Sequence, residues 1–244
     1  MSNILIKSFF GSSNLSNEVA KRELALIIAQ SAWGEDIIRP MLKRLLPFVE
    51  SPNIKRKLLE QLDDEHRHTK LYWHHIHQLD SGISRKLSPL YQTVCDHALS
   101  SDSSFELLAC ILVCLESFAF GAFKFRRKVC ALQDTLQLDN DIEKDEFRHV
   151  ETGMLVLNDL LQSGQTFDKE KVSARLKKII MAFRSRSFVE DLESSFGQEV
   201  LPSALRSELM TEYFLTCGAE FNFRFKKLMS ATRSFEGKRN VSCV

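Results

Sequence analysis

Two short segments of one pattern, Asp64-Glu65-His66-Arg67-His68 and Asp145-Glu146-Phe147-Arg148-His149, both read D-E-x-R-H. Within each, the glutamate and the final histidine stand three residues apart, so on a helix they project from one face a turn apart and can reach one metal ion together. Of the seven histidines, only His68 and His149 follow a glutamate at this spacing. Thirty residues before Glu65 stands Glu35, and thirty before Glu146 stands Glu116. About thirteen residues rising along one helix and about thirteen descending the next, at ~1.5 Å each, return the chain to the same height. The spacing therefore predicts that Glu35, Glu65, His68, Glu116, Glu146 and His149 meet halfway along a bundle as ligands of two metal ions.

Glu116 lies within LLACILVCLESFAFGAF, where an unpaired carboxylate is costly to bury. Two divalent cations balance four such carboxylates, and hard oxygens with one imidazole per metal suit iron or manganese better than zinc. Two irons are the first expectation and a manganese-iron pair the second. Asp64 and Asp145, each one position round from its glutamate, are candidates to accept the outer N–H of a metal-bound imidazole on a neighbouring helix, with Arg67 and Arg148 neutralising them. At the first ligand position, Glu23 and Asp36 stand as alternatives to Glu35, and Pro40 disturbs that helix. Tyr72, one turn after His68, is placed either to exchange an electron with the metals or to pack between helices. Phe118, Phe120, Phe123 and Phe125 are core residues or the wall of an apolar channel beside Glu116.

The elements that carry these residues follow from composition and periodicity. The chain has 244 residues, 44% hydrophobic and 27% charged, with only 9 glycines and 5 prolines, which favours long helices in one domain. Asn17 can cap a first helix from Glu18 to about Phe48, and the ESPN turn at 50–53 leads to a second from about Ile54 to Gln78. A link with a short helix at 90–99 precedes a third from Ser103 or Ser104 to about Ala131 and a fourth, opened by Asp134 or Asp139, to Gln162. Two helical hairpins joined by a long crossover are the connectivity of the ferritin-like four-helix bundle, an all-α fold. Segments at about 168–184 and 203–230, the latter opened by Pro202-Ser203, read as extra C-terminal helices, and the polar stretch from Thr232 as a loose tail.

The net charge of +1 gives no field for nucleic acid. Six cysteines without C-x-x-C spacing suit a reducing cytoplasm, and the N-terminus lacks the layout of a secretory signal. The apolar stretch from Leu107 to Phe123 contains Glu116 and falls short of the ~20 apolar residues of a membrane span, so a buried core helix is expected.

At the ligand positions the chain resembles the ferritin-like di-iron carboxylate superfamily, and within it is most similar to the aldehyde-deformylating oxygenases. The resemblance spans roughly residues 25–232. It rests on Gly34-Glu35, the E-x-R-H of the second helix, Glu116-Ser117-Phe118-Ala119, Lys144-Asp145-Glu146-Phe147 with His149 and Gly153, and the late Phe221-Asn222, Arg224 and Met229. The resemblance implies two irons on the six residues above and an O2-dependent reaction on a small, mostly apolar substrate, a long-chain fatty aldehyde first. With no nucleotide-binding glycine loop in the sequence, an external electron donor such as a ferredoxin is expected. Relatives with the same ligands include iron-oxidising, peroxide-scavenging and radical-generating proteins.

Overall fold

In the computed structural model the described residues are 18–130, 132–183 and 203–241. They form helices and connecting turns, with no strand among them. Asn17, Ala131, Pro202 and the N-terminus lie outside the described residues, as does the sixth cysteine, Cys243.

Helix α1 spans Glu18–Leu45 and runs through Pro40 without ending there. The lost hydrogen bond is outweighed by packing, because Met41, Leu42 and Leu45 just beyond it are fully buried. A single 3-10 turn, Leu46–Phe48, leads to α2 at Pro52–Leu79. Ser51 caps α2 by accepting from the Ile54 N–H at 3.5 Å, and Pro52 occupies a first-turn position where its missing N–H costs nothing. Asp159 of a later helix accepts from the N–H groups of Glu50 and Ser51 at 2.7 and 3.2 Å, which fixes the hairpin turn.

After α3 at Pro89–Leu99, helix α4 covers Ser104–Val129. This is the one described helix long and apolar enough to cross a membrane, and 89% of its most apolar window is buried against the other helices, which accounts for its composition. Its middle, Cys110–Leu115, is π-helical: the N–H of Glu116 donates to Ile111, five residues back. The wider turn adds a residue to the helix immediately before Glu116 and so sets which way that side chain faces. The third-helix expectation did not include this irregularity.

Helix α5 spans Gln133–Gln162, α6 Lys169–Phe183 and α7 Ser203–Val241. Where a loose tail from Thr232 was expected, the helical backbone continues to Val241. Thr232 is buried and its hydroxyl donates to the Met229 carbonyl at 3.0 Å, and no proline follows to stop the helix. Helix α1 packs along α2, α2 along α5 and α5 along α4, while α7 lies against α4 and α6 covers α3 and the start of α4. The α4–α7 contact needs a glycine: a Cβ at Gly121 would stand 2.7 Å from the Cα of Cys217. All five described cysteines are free and buried.

Candidate metal centre

Four helices contribute to one buried cluster. Glu35 comes from α1, Glu65 and His68 from α2, Glu116 from α4, and Glu146 and His149 from α5, and none is more than 4% exposed. Their ligand atoms fall into two sets, Glu35, Glu65, His68 and Glu146 in one and Glu65, Glu116, Glu146 and His149 in the other. Within each set the atoms lie within 4.8 Å of one another. Glu65 and Glu146 belong to both, so each carboxylate can span two metal positions, while one histidine and one further glutamate serve each position alone.

Both imidazoles turn the same way. His68 Nδ1 faces Glu146 at 3.2 Å, Glu65 at 3.5 Å and Glu35 at 3.7 Å, and His149 Nδ1 faces Glu65 and Glu146 at 3.1 Å each. Their outer nitrogens meet aspartates crosswise: His68 Nε2 lies 3.1 Å from Asp145 and His149 Nε2 3.3 Å from Asp64. Arg67 bridges Asp64, at 3.0 Å, and Asp145, and Arg148 bridges Asp145 at 2.5 Å and Asp64 at 3.1 Å. Each arginine thus ties the two D-E-x-R-H segments together. The aspartates hold the outer imidazole N–H, fixing which nitrogen is free to bind inward.

The fit to metal rests on atoms left without hydrogen bonds. Glu35 Oε2, Glu65 Oε2, Glu116 Oε2, Glu146 Oε1 and His68 Nδ1 are all buried and make none. Unpaired acceptors crowded this way destabilise a fold unless a cation fills the space between them. The electrostatics agree. Burial, and then the neighbouring carboxylates, push Glu35 and Glu116 well above the usual carboxylate range. For Glu65 and Glu146, burial is outweighed chiefly by the charge on His149, and their carboxyls are lowered. Burial opposes charge on both imidazoles too, but the surrounding carboxylates overcome it and raise both. Without metal, Glu35, Glu116 and both imidazoles hold protons more tightly than in water, and a divalent cation binding the same atoms would displace them.

Comparison with protein-family models, curated proteins and solved structures finds no match to this chain.

Several contributors escape a reading of spacing alone. Gln61, one turn before Glu65, is buried and donates through Nε2 to Glu65 at 3.1 Å and Glu116 at 3.4 Å, orienting two ligands at once. A polar residue four before a ligand on an amphipathic helix is the signal that marks it. Arg126 is buried in full: Nε and Nη2 each donate to Asp139 at 2.8 Å, and Nη1 donates to Ser31 at 2.8 Å. Nη2 also lies 3.5 Å from the Tyr72 hydroxyl, which accepts from it. Burial raises the Tyr72 phenol well above its ordinary range. These contacts pack the Tyr72 side chain against Arg126 of the facing helix. His75, unassigned by spacing, is buried with Nε2 2.8 Å from the Thr135 hydroxyl.

Two recesses reach the cluster. One, lined by Gly34, Ile38, Tyr91, Leu115, Phe118 and Ala119, has Glu35 and Glu146 in its wall. The other is charged, lined by Lys57, Glu60, Asp64, Arg148 and Glu151, and has Gln61 and His149 in its wall. An apolar molecule and a hydrophilic one would approach by different routes.

Proposed function

We propose that this chain is a ferritin-like, non-haem di-iron oxygenase or oxidase that uses O2 to act on a small, mostly apolar substrate. The observation that carries the reading is the pair of buried ligand sets sharing Glu65 and Glu146, with ligand atoms left unpaired. Glu35 and His68 would hold one ion, Glu116 and His149 the other, and Glu65 and Glu146 would span both. When bound, a pair of irons, or manganese with iron, supplies the redox chemistry that reduces dioxygen, which no side chain here supplies by itself.

The remaining work falls to the chain. Asp145 and Asp64 hold the outer N–H of His68 and His149, so that each ring presents Nδ1 inward. Gln61 steadies Glu65 and Glu116. The mostly apolar recess beside Glu35 marks where an apolar substrate would approach: its cavity of about 20 Å³ is water-sized, and the space over Gly34 is open, since a Cβ there would meet nothing within 4 Å. A long-chain fatty aldehyde is the substrate to try first, with an external donor such as a ferredoxin supplying electrons.

The test is oxygen uptake by the reduced, iron-loaded chain across a panel of aldehydes, alcohols and alkanes of graded length. Uptake that depends on an apolar additive and yields a product altered from it is the expected result. Uptake that tracks added ferrous iron and ignores every organic additive would overturn the reading in favour of an iron-oxidising protein.

A further inference from the structure

The chain carries 18 phenylalanines against 2 tryptophans, and the two tryptophans are in contact. Trp33 on α1 meets Trp73 on α2 edge-on with ring centres 6.3 Å apart, and also meets Tyr91 of α3 at 5.8 Å. Both spacings are those of rings in direct contact. Tyr91 lines the apolar recess whose wall includes Glu35 and Glu146. Trp73 in turn has His77 at 6.1 Å and the guanidinium of exposed Arg85 over its face at 5.8 Å. A line of rings thus runs from just beneath the surface at Arg85 to the recess beside the cluster.

Packing alone does not account for Trp33. The residue is 6% exposed, and its indole N–H is buried with no acceptor among the described residues. A phenylalanine would fill most of the same space without stranding a donor, so the indole is kept at a cost. What indole offers beyond phenylalanine is ease of one-electron oxidation. An indole whose N–H is hydrogen-bonded can pass its proton on once oxidised and is then trapped as a neutral radical. Trp33 has no acceptor for that proton, so its oxidised form stays a strong oxidant and draws an electron from a neighbouring ring.

We propose that Trp73, Trp33 and Tyr91 form a relay that carries single electrons from a one-electron donor at the Arg85 surface to an oxidant in the recess. The oxidant takes one electron from Tyr91, whose phenolic proton passes to water. Tyr91 is restored by an electron from Trp33 and the return of the proton, Trp33 by an electron from Trp73, and Trp73 by the donor. One electron crosses per cycle, with no net movement of protons and no other bond made or broken. The relay itself needs no metal; that its oxidant is the oxidised metal pair rests on the proposed function.

The test is pulse radiolysis of the full-length, chelator-treated chain, with azide radical as the one-electron oxidant of indole. An indole-radical absorption should appear and then decay in step with the growth of a phenoxyl absorption, at a rate unchanged by diluting the protein. Tyr91→Phe should lose the phenoxyl growth and leave a longer-lived indole radical. Trp33→Phe should lose the growth too, because phenylalanine is not oxidised in its place, while Tyr72→Phe should leave the record unchanged. Absence of an indole radical in the unmodified chain, a decay that speeds up with protein concentration, or a phenoxyl signal undiminished in Tyr91→Phe would overturn the proposal. Because the sample holds no metal, a chain that shows the transfer but never retains iron contradicts the di-iron reading and leaves the relay standing.

Discussion

The interior holds two assemblies of buried charge, and they are finished to different degrees. Around Arg126 the donors go to Asp139, Ser31 and Tyr72. In the Glu/His cluster, buried oxygens on four glutamates and one histidine nitrogen make no hydrogen bond. A completed network specifies how helices fit together, whereas an incomplete one, equally buried, is shaped for something the polypeptide does not itself contain.

The contrast is sharpest in its pH dependence. The raised groups, His68, His149, Glu35 and Glu116, keep protons in the fold that the unfolded chain has lost. A raised folded pKa gives stability that is complete below the unfolded value and lost as pH rises, from about 4.3 for the acids and about 6.5 for the imidazoles. Chelator-treated protein should therefore lose thermal stability as pH goes from about 6 to 9, by up to about 1.4 kcal/mol per pH unit for each such proton. Metal-loaded protein should not, because those sites no longer hold protons. Parallel melting curves with and without chelator would break the comparison. The same four raised groups predict a net release of protons on metal loading at pH 7, read by titration in buffers of different ionisation enthalpy.

Breaking the finished network comes next in size. Asp139→Ala strands Arg126 and should cost about 3–5 kcal/mol, lowering Tm by roughly 10 °C with or without metal. The unfinished cluster should respond oppositely. Glu116→Leu removes an acid with one buried oxygen unpaired, so the chelator-treated variant should melt at the same temperature as the parent or be up to about 2 kcal/mol more stable, while bound metal falls below two per chain. Destabilisation as large as that of Asp139→Ala would place Glu116 among the structural groups.

The smallest effect concerns the apolar recess. Gly34 sits inside α1 with no steric reason to be glycine. Gly34→Ala should raise stability by up to about 1 kcal/mol, seen as a higher denaturant midpoint. A destabilised variant would mean that the space over Gly34 is needed by the fold itself.

The contrast also shows what could be read from sequence. The all-helical fold was legible because apolar residues recur with helical period and breakers are few. The gathering of these six side chains was legible because an E-x-x-H repeat with a fixed upstream glutamate leaves little freedom in where the helices bring them. Arg126 was not, since it stands in an Arg-Arg-Lys run whose other two members are exposed, and burial of one among three is decided by the facing helix. The π-helical turn at Cys110–Leu115 has no glycine or proline to mark it. Its register comes from packing, and it determines where Glu116 points.

The most direct test of the account is the iron bound per chain after anaerobic loading with ferrous iron and removal of excess, with the Mössbauer spectrum of the same sample. Two irons per chain in nitrogen- and oxygen-coordinated sites, falling below two in His149→Ala, is the predicted result. A chain that retains no iron under any loading condition, or that retains two in His149→Ala and Glu116→Ala alike, would contradict the assignment of these residues as a di-metal centre.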